Sequence, residues 1–184
     1  MILFNLVLIK FFIMLIKSVR GFTPIFGEGC YFAENSTIIG DLIIGDNCSV
    51  WFQAVIRADV NSIRIGNRVN IQDGAVIHAT FEKASTSLGN DISIGHNAIV
   101  HGCTIESSVL VGMGSIIMDD CVIGSNSIIA AGCVLAKGTI VPTNSVYAGI
   151  PGKKIKSVNP ALKREEIDRI AKNYITYSSW FKEE

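Results

Sequence analysis

The sequence predicts an all-β domain: a single-stranded parallel β-helix of six-residue repeats, followed by one C-terminal α-helix. Three observations predict it. Seventeen aliphatic residues fall on a six-residue grid between positions 38 and 141. Glycine often follows the aliphatic residue, as at Gly45, Gly66, Gly89, Gly95, Gly112 and Gly124. Four positions after it the residue is usually small or apolar, as at Cys48, Ala54, Val69, Ala75, Ala98, Thr104, Ser115, Cys121, Ser127, Cys133 and Thr139. A period of six matches neither the helical repeat nor simple strand alternation. It fits a short strand plus a tight bend, with the aliphatic side chain inward. Three such units close one triangular coil of 18 residues, and coils stack at about 4.8 Å. β-branched Ile and Val suit the strands, and glycine is assigned to bends with unusual backbone angles.

The elements follow in order. Residues 1–19 form an apolar N-terminal extension that opens with MILFNLVLIKFFIMLI, interrupted by Asn5 and Lys10. The run is short for a membrane span and lacks a basic start and a small-residue cleavage site. Three readings stay open: a start upstream of the true one at Met14, a packed apolar tail, or a membrane-associating segment. Residues 20–150 carry the coils. Their inward positions run Ile38, Ile44, Val50, Ile56, then Ile65, Ile71, Ile77, then Leu88, Ile94, Val100, and finally Ile105, Val111, Ile117, Ile123, Ile129, Leu135, Val141.

The grid slips at three places. Ile56 to Ile65 holds three extra residues, Ile77 to Leu88 five extra, and Val100 to Ile105 is one short. Insertions in a solenoid become loops, often on the binding face. Residues 151–184 are a loop with the Lys153–Lys154 pair and then a helix over about 160–182. Asn159 and Pro160 read as its cap and first residue. Ile167, Ile170, Tyr174, Tyr177 and Phe181 make one apolar stripe at helical spacing.

Composition bounds the function. Lys plus Arg and Asp plus Glu number 16 each, so the formal net charge is zero. That gives no electrostatic footprint for nucleic acid and none for an anionic membrane surface. The 49% apolar content over 184 residues supports a sizeable core and an oligomer that hides part of its surface. Five cysteines (Cys30, Cys48, Cys103, Cys121, Cys133) form no CxxC pair. They read as reduced thiols of a cytoplasmic protein.

The chain has three histidines, all between positions 78 and 101. His78 follows inward Ile77, and His101 follows inward Val100. These two aliphatics are 23 residues apart, one coil plus the five-residue insertion. His78 and His101 therefore point outward from one face, one coil apart. Their imidazoles could hold one metal at Zn–N distances of roughly 2.0–2.1 Å. His96 lies two residues after Ile94 and belongs to the preceding face, near a corner. A threefold arrangement would bring it to a neighbour's His78 and His101, so the expectation is a homotrimer with a shared site. Three neutral imidazoles and an open fourth position are a catalytic-zinc pattern, though Fe2+ or Co2+ could also occupy three imidazoles.

The segments Ile56-Arg57-Ala58-Asp59, Asn70-Ile71-Gln72-Asp73, Ile77-His78, Ile94-Gly95-His96 and Val100-His101-Gly102-Cys103 together resemble the γ-carbonic-anhydrase family. Within it they resemble the bacterial hexapeptide-repeat members described as transferases or ferripyochelin-binding proteins. The resemblance covers about residues 20–180. It implies a left-handed coil, a trimer, and zinc held by His78 and His101 of one chain and His96 of the next. It also implies that Gln72 orients the zinc-bound water or bicarbonate, that Arg57, Asp59 and Asp73 form an intersubunit ion-pair cluster, and that Tyr174, with Asn173 beside it, lines the pocket. Two positions depart from the pattern. Some members carry glutamates where this chain has Val60 and Phe81, with Glu82 one place out, and those carboxylates would move protons off the zinc water.

The leading expectation is reversible hydration of CO2 to bicarbonate by zinc-bound hydroxide at the trimer interface. Two alternatives stand beside it. One is an acyltransferase using coenzyme A, with a histidine as general base and Lys153 and Lys154 meeting the cofactor's phosphates. The other is a non-catalytic zinc-binding trimer.

Overall fold

The structure, a computed structural model, describes residues 14–182; the apolar segment 1–13 lies outside the described residues. It is a left-handed parallel β-helix with one C-terminal helical segment packed on its side. The strands line three faces. The first stacks Thr37–Ile39, Val55–Arg57, Val76–His78, Ile99–His101, Ile116–Ile117 and Val134–Leu135. The second stacks Ile25–Phe26, Leu42–Ile44, Ile63–Ile65, Thr86–Leu88, Thr104–Ile105, Val122–Ile123 and Ile140–Val141. These two faces join in one sheet because Thr37–Ile44 and Val55–Ile65 run unbroken round the corner. The third face runs from Tyr31–Phe32 to Ser145–Ala148.

Strand register measures the coil. Ile71 pairs with Ile94, Ile94 with Val111 and Val111 with Ile129. The steps are 23, 17 and 18 residues, so the insertion and the deletion are absorbed between coils and the inward column stays aligned. All seventeen grid aliphatics are buried in one continuous core. Burying a Val, Leu or Ile side chain contributes roughly 1.5–3 kcal/mol each, which offsets the entropy of ordering many short strands. The corner residues Cys48, Ala54, Val69, Ala75, Ala98, Cys121 and Cys133 fill the same core, and the five cysteines are free thiols. Thr104 does not fill its corner. It is exposed and Cys103 takes the buried place, because the one-residue deletion falls just before it.

Two boundaries shift from the sequence reading. Leu15–Lys17 pairs in parallel with Thr37–Ile39, so the stack begins inside the predicted extension. Lys153–Ser157, expected as loop, pairs antiparallel with Ser145–Ala148.

The helical segment starts at Pro160. Asn159 caps it by accepting from the Leu162 amide at 2.8 Å. It passes through a wide π-helical stretch, Lys163–Asp168, into the α-helix Arg169–Trp180. Its apolar stripe lies on the third face, where Ile167 packs against Ile128 and Val146, and Tyr174 meets Trp51 edge-on at 5.3 Å between centroids.

Candidate metal centre

The first face carries two of the histidines. Ile77 and Val100 point inward with essentially no exposure, so strand alternation turns His78 and His101 outward. The two are register partners on adjacent strands. Their ring centroids lie 5.0 Å apart, and His78 Nδ1 is 3.0 Å from His101 Nε2.

Carboxylates hold the outer nitrogens. His78 Nε2 lies 3.2 Å from Asp59 Oδ1, and His101 Nδ1 lies 2.6 Å from Asp119 Oδ1. Asp59 also accepts from Arg57 at 2.5 Å, and Asp119 from the Thr80 hydroxyl at 2.8 Å. Burial pushes both carboxyls upward. For Asp59 the hydrogen bonds from Arg57 and His78 outweigh it, and for Asp119 those from His101 and Thr80 do, so both sit below the usual aspartate value. Burial pushes the His78 imidazole below its ordinary value, against the pull of Asp59 and with the help of Arg57.

An ionised carboxylate only accepts, so each nitrogen facing one carries the proton. His78 Nδ1 and His101 Nε2 then face each other across 3.0 Å, a spacing that a shared proton or a metal ion would bridge. Two ligands of a tetrahedral zinc at about 2.0–2.1 Å would lie roughly 3.3–3.4 Å apart, so the pair needs only a small opening to fit one. A histidine ligand whose other nitrogen donates to a carboxylate is the usual outer shell of a zinc site.

His96 stands apart, just after the third-face strand Ser93–Ile94. Its Nδ1 is 2.9 Å from Asp73 Oδ2, and its Nε2 is 3.5 Å from the Tyr174 hydroxyl. A cleft of about 400 Å³ between the third face and the helix is lined here by Gln72, His96, Asn173 and Tyr174. Gln72 is buried, and its Nε2 donates to Asn70 Oδ1 at 3.0 Å. Burial, then Asp73 and Tyr177, push the Tyr174 phenol up to about 12.

The predicted residues thus form two groups in one chain. Arg57 and Asp59 gather at His78, beside His101. Gln72, Asp73, Asn173 and Tyr174 gather at His96. Among the described residues of one chain, no three His, Cys, Asp or Glu side chains converge to hold a metal ion. Val60 and Phe81 lie under Arg20, which is 5.3 Å from the Phe81 ring centre and donates to the Val60 carbonyl at 3.4 Å. Sequence reasoning missed Asp119 and Thr80. Asp119 lies in the turn one coil beyond His101, and that 18-residue offset was the available signal. No helix among the described residues is long and apolar enough to cross a membrane.

Comparisons with known proteins agree with this architecture. Residues 102–137 match the family described as Bacterial transferase hexapeptide (six repeats). The chain is 52% identical over 145 residues to "Probable carbonic anhydrase" of Methanocaldococcus jannaschii, covering 79% of this chain and 88% of that one. It is 35% identical over 161 residues to "Gamma carbonic anhydrase 2, mitochondrial" of Arabidopsis thaliana, covering 83% of this chain and 56% of that longer one. A hexapeptide transferase family protein from Anaplasma phagocytophilum, solved as a crystal structure, superposes with a TM-score of 0.86 at 36% identity, over 91% of this chain and 98% of that one.

Proposed function

The chain belongs to the γ-carbonic-anhydrase-like family of hexapeptide-repeat proteins, and on that premise we propose that it is a zinc-dependent carbonic anhydrase, hydrating CO2 reversibly at a site shared between the chains of a homotrimer. One observation carries the reading: each of the three histidines has a carboxylate on one ring nitrogen, Asp59 for His78, Asp73 for His96 and Asp119 for His101. The other nitrogens of His78 and His101 face each other, and that of His96 lies 3.5 Å from the Tyr174 hydroxyl. His78 and His101 of one chain and His96 of the next are the proposed ligands.

When bound, zinc lowers the pKa of a water to about 7 and so makes a nucleophile available near neutral pH. This chain's residues bind and orient. Asp59 and Asp119 hold the tautomers and ring planes of His78 and His101, and Asp73 stands beside His96. Gln72 gives one amide N–H to Asn70, which leaves its second N–H and its carbonyl oxygen to orient a group in the cleft. The Tyr174 hydroxyl, raised to about 12, stays a neutral donor. Leu110, Ile128 and Ile170 line the same cleft and disfavour bulk water there.

The test is stopped-flow CO2 hydration on the zinc-loaded protein and on His101→Ala. The variant is expected to lose zinc and hydration together, while keeping the fold. Hydration retained by His101→Ala at the wild-type rate would sink the reading.

A further inference from the structure

We propose that the two grid insertions clamp Asp119 onto His101, making Asp119 a positioning residue that sets which His101 nitrogen is free to bind metal. The inference rests on the metal reading above, and it names a part of the site that lies off the repeat.

Asp119 has both oxygens engaged. Oδ1 accepts from His101 Nδ1 at 2.6 Å, and Oδ2 accepts from Thr80 Oγ1 at 2.8 Å. With one bond at each oxygen, the carboxylate cannot rotate away from the ring without losing a charge-assisted hydrogen bond. Thr80 is itself fixed. Its amide donates to the Ala84 carbonyl at 2.9 Å, and its carbonyl accepts from Asn61 Nδ2 at 3.1 Å. Ala84 belongs to the five-residue insertion and Asn61 to the three-residue one. The two insertions therefore meet at Thr80, one as part of the strand Val55–Ile65 and the other as the loop after His78, and reach His101 through Asp119.

Gly102 leaves the space for this. It has a φ of +56°, and an added Cβ would overlap Asp119 Oδ1. A side chain at 102 would push Asp119 off the ring. Without Asp119, His101 Nδ1–H has no carboxylate to hold it, and the proton can move to Nε2. Nε2 would then present N–H to His78 instead of a lone pair. His78 has a different anchor, the Arg57–Asp59 ion pair, so the two ligands are held independently.

The tautomer is readable without metal. Long-range 1H–15N NMR of the metal-free full chain is expected to find His101 protonated at Nδ1 in the wild type and at Thr80→Ser. Asp119→Ala is expected to shift the proton towards Nε2, and Thr80→Val to do so in part. Zinc affinity by chelator competition is expected to fall roughly 10–100-fold in Asp119→Ala, less in Thr80→Val, and to recover in Thr80→Ser. An unchanged His101 tautomer and zinc affinity in both Asp119→Ala and Thr80→Val would overturn the proposal. A wild-type chain that takes up no zinc, yet loses the Nδ1–H form in Asp119→Ala, would overturn the metal reading and leave the clamp standing.

Discussion

Gly124 follows the inward Ile123, and a Cβ there would lie 2.5 Å from the Thr143 amide nitrogen of the next coil. The same crowding meets Gly66, Gly95 and Gly112, and none of them has a positive φ. These glycines are needed for close coil-to-coil approach, and the bend itself is made two residues later. Asn47, Asn97 and Asn126 hold that later position in the left-handed region, as does Gly114 with a φ of +64°. The sequence pattern located the glycines correctly and assigned them the wrong reason, because spacing along one coil carries no information about contact between coils. Gly124→Ala is expected to lower stability by roughly 1–3 kcal/mol, since backbone must shift. Gly114→Asn is expected to cost much less, because asparagine tolerates this conformation and open space surrounds Gly114. Urea unfolding of both variants checks the pair; equal losses would contradict the distinction.

At the scale of elements, the six-residue grid made the faces legible because burial is nearly binary along it: every inward aliphatic lies in the core. The strand Lys153–Ser157 was illegible for the converse reason. All five of its residues, KKIKS, are exposed, so no alternation marks it. The helical segment was legible from its cap and stripe, but nothing in the sequence signalled the wide turn over Lys163–Asp168. Its contact with the third face makes a pH prediction. Burial, then nearby carboxylates, push Tyr31 up to about 12, and the Tyr31 hydroxyl is buried without a hydrogen-bond partner. Tyr174 is likewise pushed up to about 12. The folded-state values exceed the free phenol's value of about 10. Their contribution to stability is therefore complete below about pH 10 and lost as the pH rises through about 12. Two of the four tyrosines are expected to ionise near pH 12 in an ultraviolet titration, with the helix loosening over the same range. All four ionising together near pH 10 would contradict the packing.

For the molecule as a whole, coil arithmetic was enough to bring His78 and His101 together and to set His96 on another face, because register follows from counting inward residues. The outer carboxylates were only partly legible. Arg57, Asp59 and Asp73 were picked out as an intersubunit ion-pair cluster; within one chain Asp59 pairs with Arg57 and also reaches His78, and Asp73 lies 2.9 Å from His96. Asp119 escaped because it sits in a turn off the grid, where it bonds His101 of the preceding coil and Thr80 of the loop after His78. What is proposed is that three such histidines, from two chains, hold one zinc. The most direct measurement is elemental metal content per chain, taken with the solution mass of the purified assembly. The expected result is an assembly of three 19.9 kDa chains with about one zinc per chain. A trimer that takes up no zinc when it is supplied, or a monomer that holds zinc as tightly, would contradict it.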